Sequence, residues 1–177
     1  DFAYGIPDSV GGAVYMNAGA YGGEIKDIIE ECEYLTPQGE IKVMKKDDML
    51  FGYRKSVFSE NSCAVLSATF ALKNGSAQEI KSKMDDFMSR RKSKQPLEYP
   101  SAGSVFKRPE GYFAGALIEE CSLKGFSIGG AQVSEKHAGF IINKGSASAK
   151  DVMDLIEYIK DKVLKEKGVK LEPEIKL

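Results

Sequence analysis

The sequence predicts an α+β fold, and three features support that prediction. Residues 25–35, which mix apolar and acidic side chains, and residues 41–43 lie on either side of a Pro-Gln-Gly turn, which is typical of a β-hairpin. Residues 64–72 form an apolar run of strand length that ends in a polar turn. Two capping boxes, which begin at Ser76 and Ser148, each introduce a segment whose apolar residues recur at helical spacing.

The ends of both helices can be predicted. The box Ser76-Ala-Gln-Glu79 opens a helix over residues 77–94, and the prolines that follow cannot continue it. The box Ser148-Ala-Lys-Asp151 opens another helix, which Gly168 closes. Residues 169–175 then alternate apolar and polar side chains, which predicts a final strand.

The predicted domain boundary is the polar turn Lys73-Asn-Gly-Ser76, between the apolar strand and the first long helix. We therefore predict one domain over residues 1–73 and a second over residues 74–177. No internal repeat or low-complexity segment is visible.

Composition argues against several kinds of partner and site. A net charge of −1, with both signs mixed along the chain, provides no field that would attract nucleic acid or an anionic membrane. Three widely separated cysteines indicate reduced thiols of a cytoplasmic protein rather than disulfides. The single histidine, His137, has no evident partners for a metal site, so no metal is expected. The sequence gives no indication of an oligomeric state.

Residues 5–23, here called the glycine segment, are the stretch around which the chain is organised. Six of the 18 glycines lie there, and residues without bulk let the backbone approach a flat or anionic ligand closely. Neither the Rossmann G-x-G-x-x-G string nor the P-loop string is present. A loop that simply packs against a sheet explains the same spacing equally well.

The order of residues in this segment narrows the choice. The string GIPDSVGGAVYMNAGAYGGEI resembles the FAD-lining segment of the MurB family, the UDP-N-acetylenolpyruvoylglucosamine reductases. The resemblance implies that residues 1–73 are the second half of an α+β FAD-binding domain. Asp8 stands where the family usually has glycine, which would weaken the site if that turn needs a positive φ. The implied FAD contacts are Gly5, Ile6, Pro7, Ser9, Gly11, Gly12, Asn17 and Gly19.

Three further motifs resemble those that carry the family's reactive groups. Gly-Ser-Val-Phe-Lys contains Ser104, which matches the serine that protonates the substrate carbon. Gly-Tyr-Arg-Lys-Ser contains Arg54, which matches the arginine that holds the enolpyruvyl carboxylate. Leu-Glu-Pro-Glu ends at Glu174, which matches the catalytic glutamate, with Glu172 as the fallback.

Without the resemblance, each of these residues has an ordinary interpretation: a structural serine in a turn, a solvated arginine and an exposed glutamate. The string Ser-Val-Phe-Lys also fits the S-x-x-K of penicillin-binding enzymes. The chain lacks the S-D-N and K-T-G motifs that accompany it, so an acyl-transfer site is not indicated.

The resemblance also implies a substrate-binding set: Tyr53, Arg91, Lys94, Lys107, Gln132 and His137. For the cations at the end of the first long helix a simpler explanation exists, because positive charge favours the negative end of the helix dipole. Arg108 stands where the family commonly has asparagine, which leaves the substrate contact there open. His137 lies in GGAQVSEKHAGFIIN and is expected to order a loop at the substrate pocket.

Together the motifs cover essentially the whole chain and imply a second domain that binds substrate. The implied activity is the NADPH-driven, FAD-dependent reduction of UDP-N-acetylglucosamine enolpyruvate to UDP-N-acetylmuramate, a cytoplasmic step of peptidoglycan synthesis. Because the family's first FAD loop is not in this sequence, we expect a C-terminal part of a reductase that is inactive alone. The alternatives are a non-catalytic UDP-sugar-binding fragment and a flavin oxidase of related architecture.

Overall fold

The computed structural model describes residues 1–175, which divide into two compact units, Asp1–Arg90 and Arg91 onward. Each unit combines helices with an antiparallel sheet. The predicted α+β fold is therefore confirmed. No helix within these residues is long and apolar enough to cross a membrane.

The first unit is built on a three-stranded antiparallel sheet of order β4-β3-β5. The predicted hairpin is present, although its first strand begins at Ile29 because residues 25–27 form a short 3-10 turn. The glycine segment contains a short helix and a two-stranded ribbon, which periodicity did not predict. The elements are α1 (Val10–Tyr15), β1 (Gly19–Ala20), β2 (Gly23–Glu24), β3 (Ile29–Leu35), β4 (Ile41–Lys45) and β5 (Ala64–Phe70).

The core of the first unit lies between α1, one face of the sheet and the loops after β4. Its buried apolar residues are Val14, Ile25, Ile29, Cys32, Met49 and Phe58. Burial raises the pKa of the Cys32 thiol to about 11, with a smaller contribution from the charge of Glu31. Cys32 is thus a packing residue, as the cysteine pattern predicts.

Helix α2 (Ala77–Lys94) has the predicted bounds, and the division between the units falls inside it, after Arg90. The Lys73 turn is therefore not where the compact units divide. The Tyr21 and Phe87 rings stack at 4.2 Å and 3°, and the Tyr21 hydroxyl donates to the Phe87 carbonyl at 3.2 Å. These contacts tie most of α2 to the first unit.

The second unit has a four-stranded antiparallel sheet of order β6-β9-β8-β7, with α4 packed on β7 and β8. Its core combines buried residues of β8 and β9 with apolar residues of both helices, including Ile118, Leu155 and Ile159. The elements are β6 (Ser101–Ser104), α3 (Ala114–Glu120), β7 (Ser127–Ile128), β8 (Ala131–Val133), β9 (Phe140–Asn143) and α4 (Ala149–Lys167).

Helix α4 and the segment after it differ in how well they were predicted. Both hydrogen bonds of the Ser148–Asp151 capping box are present, and Gly168 ends the helix with φ +68°. The predicted strand over residues 169–175 is wrong, because only an isolated bridge joins Phe106 to Pro173. The Val105 amide, which a longer ladder would use, donates instead to the Gly139 carbonyl at 2.9 Å.

Candidate active site

The segment after α4 brings Glu174 next to the chain that follows Ser104. The Glu174 amide donates to the Val105 carbonyl at 2.7 Å, directly after β6 ends at Ser104. Ser104 is exposed, and within residues 1–175 its hydroxyl donates one bond, which is long at 3.5 Å, to the Phe106 carbonyl. The two residues predicted to be catalytic in this unit therefore lie on paired backbone segments.

Lys107 and Glu172 continue the same pairing. The Lys107 amide donates to the Glu172 carbonyl at 2.9 Å, and the Lys107 ammonium forms an ion pair with the Glu172 carboxylate. Glu172, the fallback for the catalytic glutamate, thus has its carboxylate engaged by a cation that was predicted to bind substrate. Glu174 is the less exposed of the two glutamates.

His137 lies in the turn between β8 and β9 and is half-buried. Its Nδ1 accepts a hydrogen bond from the Gly139 amide at 3.1 Å, and its ring meets the Phe140 ring edge-on at 4.9 Å. Burial lowers the pKa of His137, and the charge of Lys124 acts in the same direction. The lowered pKa favours the neutral imidazole.

The other predicted substrate residues of this unit have different surroundings. The Gln132 amide donates to the Gly125 carbonyl at 3.0 Å and to the Ser127 hydroxyl at 3.1 Å, so both of its donors are used within the sheet. Arg91 is only 7% exposed, whereas Lys94 is exposed. The helix dipole favours a cation at the end of α2 whether or not that cation is buried. It therefore does not explain why Arg91 is buried.

In the first unit, Asn17 holds the glycine segment together. It is fully buried, with φ +46°, and its amide donates to the Glu24 carboxylate and to the Gly52 carbonyl, both at 3.0 Å. Its side-chain oxygen accepts from the Lys26 amide, also at 3.0 Å. Both amide donors are thus satisfied by the chain itself, and they link the segment to the Gly52 turn.

Arg54 lies at the tip of that turn, which is closed by two backbone hydrogen bonds between Gly52 and Lys55. The Arg54 guanidinium donates to the Gly19 carbonyl at 3.2 Å and lies 5.2 Å from the ring centroid of Tyr53. The structure therefore brings one predicted site residue, Arg54, against the glycine segment, with a second, Tyr53, beside the guanidinium.

Several glycines of the segment are needed for its own packing. A Cβ on Gly19 would lie 2.8 Å from the Gly23 carbonyl oxygen, and one on Gly23 would lie 2.7 Å from the Phe2 ring. A Cβ on Gly12 would lie 2.5 Å from the Asp8 carboxylate. The alternative in which these residues serve loop packing therefore has structural support for these three positions.

The Asp8 turn does not need a positive φ. Gly5 has φ +79°, whereas Asp8 is not among the positive-φ residues. The carboxylate of Asp8 accepts the Ser9 amide at 2.7 Å, and the Ser9 hydroxyl accepts the Gly12 amide at 3.0 Å to cap α1. Aspartate at position 8 therefore does not cause the backbone strain that a positive φ would have imposed.

Two buried serines, Ser56 beside the Gly52 turn and Ser134 before His137, support the local backbone. Neither of them was identified from the sequence. The Ser56 hydroxyl donates to the Tyr15 carbonyl at 2.7 Å, and the Ser134 hydroxyl accepts the amides of Lys136 and His137. In a serine turn, the serine hydroxyl accepts hydrogen bonds from backbone amides that follow it closely in sequence, here those two and three residues later. That pattern could have identified Ser134, whereas the Ser56 contact spans a long sequence separation.

Together these features describe an α+β protein in which an exposed serine, Ser104, lies on a backbone segment that pairs with the segment of Glu174. Residues 95–177 match the family described as UDP-N-acetylenolpyruvoylglucosamine reductase, C-terminal domain. The chain belongs to the MurB family of these reductases.

Whole-chain comparisons agree with this assignment. The chain is 57% identical over its full length to the UDP-N-acetylenolpyruvoylglucosamine reductases of Agathobacter rectalis and Streptococcus pneumoniae, of which it covers 56% and 59%. It is 39% identical to the Thermus caldophilus reductase of known structure, with a TM-score of 0.84 over 97% of this chain and 61% of that one. The chain thus spans less than two thirds of the length of these relatives.

Proposed function

We propose that this chain supplies the substrate-reducing half of a UDP-N-acetylenolpyruvoylglucosamine reductase, which forms UDP-N-acetylmuramate for peptidoglycan synthesis in the cytoplasm. The observation that carries the proposal is the pairing of the Glu174 amide with the Val105 carbonyl, next to Ser104. The names and identities of the relatives support the same reaction. The proposed substrate is a small UDP-sugar.

Ser104 is the proposed proton donor. When a hydride is added to the methylene carbon of the enolpyruvyl group, an electron pair develops on the neighbouring carbon as an enolate. The Ser104 proton forms the new C–H bond there, and the resulting alkoxide regains a proton from water. Among the described residues the hydroxyl makes one long bond of 3.5 Å, so its hydrogen can turn towards a bound substrate.

Arg54 and Glu174 are the proposed stabilisers of the enolate-like carboxylate. A guanidinium can hold a carboxylate with two parallel hydrogen bonds and remains charged throughout. Arg54 is held at its turn by the Gly19 carbonyl, and Glu174 by its backbone bond to Val105. The Arg54 guanidinium and the Glu174 backbone are thus positioned before substrate arrives, which lowers the cost of orienting these residues.

The glycine segment is the proposed site for FAD. Its residues fit that cofactor because Pro7, Ser9 and Val10 are exposed, small residues surround them, and Arg54 adds one cation. Bound FAD would supply the redox chemistry, which is acceptance of a hydride from NADPH and its delivery to the substrate. The chain's own part is to present backbone and small side chains, with Asn17 holding the segment in shape.

The proposal can be tested on two purified proteins. One is this chain, and the other, called the extended chain, is this chain joined to the residues of the Agathobacter rectalis reductase that it does not cover. Absorbance spectra are recorded without oxygen before and after NADPH, and again after the enolpyruvyl UDP-sugar. We expect the extended chain to carry flavin that NADPH bleaches and the sugar restores.

Other outcomes would contradict the proposal in distinct ways. An extended chain that binds the UDP-sugar but never flavin would be a binding module. A flavin that NADPH bleaches but only oxygen restores would indicate an oxidase. The short chain is expected to lack flavin colour, and its calorimetric titration with the UDP-sugar would show how much substrate affinity it holds.

A further inference from the structure

The hydrogen bond between Gly139 and His137 determines which imidazole nitrogen carries the proton. Nδ1 accepts the Gly139 N–H at 3.1 Å, so Nδ1 has a free lone pair and the proton is on Nε2. A protonated Nδ1 would point its hydrogen at the Gly139 hydrogen. The bond therefore exists only for one tautomer of the neutral ring.

Gly139 lies between this ring and the Ser104 hydroxyl. A Cβ on Gly139 would be 3.0 Å from His137 Cε1 and 3.7 Å from Ser104 Oγ. The Gly139 carbonyl accepts the Val105 amide at 2.9 Å, one residue after Ser104. The position of the Gly139 backbone therefore determines where the chain around Ser104 lies.

The backbone of His137 is held on both sides, and its ring lies beside Gly115 and Phe140. The Ser134 hydroxyl accepts the His137 amide at 3.3 Å, and the His137 carbonyl accepts the Phe140 amide at 2.9 Å. Gly115 leaves room for the ring, because a Cβ there would lie 3.4 Å from His137 Cε1. A ring packed in this way can transmit its position to Gly139.

We propose that His137 is a positioning residue, whose Nδ1 fixes the Gly139 backbone and thereby holds the Ser104 hydroxyl in place for proton transfer. The inference rests on the proposed function, and it replaces the predicted substrate contact of His137 with an action through the backbone. The two roles use different nitrogens, because a direct contact with substrate would come from the Nε2–H.

Two matched substitutions separate these roles. His137→Asn places a side-chain oxygen near the position of Nδ1, whereas His137→Gln places its amide near the position of Nε2. In the extended chain, we expect His137→Gln to slow restoration of flavin colour by the UDP-sugar by about 10²-fold, the scale of a displaced reacting group. His137→Asn should slow the same step far less, and bleaching by NADPH should be unchanged in both variants.

The opposite order, with the glutamine variant faster, would assign His137 to substrate contact and overturn the proposal. Equal slowing by both variants would also overturn it, because it would show that no particular nitrogen matters. KM for the UDP-sugar is measured alongside, and a positioning role predicts that kcat falls while KM stays close to the wild-type value.

Nuclear magnetic resonance provides a readout that does not depend on catalysis. His137 is the only histidine of this chain, so uniform ¹⁵N labelling of the chain gives one ring to observe together with the Gly139 amide. We expect the Nε2–H tautomer at pH 7, and slowed exchange of the Gly139 amide that His137→Asn preserves and His137→Gln loses. If the extended wild-type chain shows no flavin reaction while these signals appear, the proposed function fails and the hydrogen bond stands. A Nδ1–H tautomer would overturn the positioning role.

Discussion

The glycine segment and the Ser104 region contain motifs of similar specificity, yet their polar groups are used differently. In the glycine segment, Asn17 is buried and both of its amide donors bond to the chain. Ser104 is exposed with one long hydrogen bond, and Gly103 beside it has no atom within 4 Å of a Cβ position. A motif residue can therefore serve the fold or remain available for chemistry, and only contacts distinguish the two.

The largest expected effect concerns Ser104, the residue that is available for chemistry. In the extended chain, Ser104→Ala should slow reduction of the UDP-sugar by about 10²- to 10⁴-fold, the usual contribution of a positioned proton donor. Bleaching of flavin by NADPH should stay nearly unchanged. The free energy of unfolding should change by less than about 0.5 kcal/mol, because little bonding is lost. If both half-reactions slow together, Ser104 has a structural role and the comparison fails.

The substitution Asn17→Leu tests whether Asn17 serves the fold. Loss of the side-chain amide leaves the Gly52 carbonyl and the Lys26 amide without their partner in a buried place, and leucine is disfavoured at φ +46°. We expect the free energy of unfolding, measured with urea, to fall by about 3 kcal/mol.

The matched control for that measurement is Asn74→Ala, in an exposed turn, which should change stability by less than about 0.5 kcal/mol. A change of similar small size for Asn17→Leu would contradict the structural role. It would return Asn17 to the group of residues available for a cofactor.

A pH dependence of intermediate size is expected from His137. Its pKa is lowered in the folded chain chiefly by burial, which outweighs a backbone hydrogen bond of His137 that raises it. Among the smaller effects, the charges of Lys124 and Lys94 lower the pKa and that of Glu119 raises it. The unfolded chain therefore binds the proton more readily, with a pKa of about 6.5. The contribution to stability is complete above about pH 6.5 and is lost as pH falls towards the lowered pKa.

This dependence is measured as the difference in unfolding free energy between wild type and His137→Asn from pH 7.5 down to the acid limit of folding. The difference should be constant above about pH 6.5 and should change below it. A difference that stays flat over the whole range would show that His137 titrates identically in both states.

The smallest effect concerns Gly12 and Asp8. Alanine at Gly12 should favour the α1 helix by up to about 1 kcal/mol, but its Cβ meets the Asp8 carboxylate. In a double-mutant cycle, Gly12→Ala should therefore be more favourable in the Asp8→Gly background, with a coupling of about 0.5 to 1 kcal/mol. Additive effects would show that Asp8 moves away freely and does not explain the glycine.

Local signals predicted much of the fold. The α2 bounds and the α4 capping box and C-cap follow from residues within one turn of each end, so the sequence was sufficient there. The α1 helix was missed because glycine is a poor helix former and only the Ser9 cap and packing against β5 sustain it. The strand over residues 169–175 was predicted wrongly because alternation indicates burial but not a ladder partner.

The candidate site was predictable as a set of residues but not as an arrangement. The family motifs named Ser104 and Glu174, yet their proximity depends on a backbone bond between segments far apart in sequence. Similarly, Asn17 was named as a cofactor contact, whereas its bond to the Gly52 turn depends on tertiary packing. The assignments of individual residues to FAD and to the UDP-sugar stay predictions.

The stacked pair of Tyr21 and Phe87 makes the first unit observable by fluorescence. The chain has no tryptophan, so Phe87→Trp would introduce a single indole directly against the tip of the glycine segment. Its emission would report whether α2 stays docked on that segment, in a spectral range separate from tyrosine. Ligands that order or loosen the segment could then be detected without enzymatic turnover.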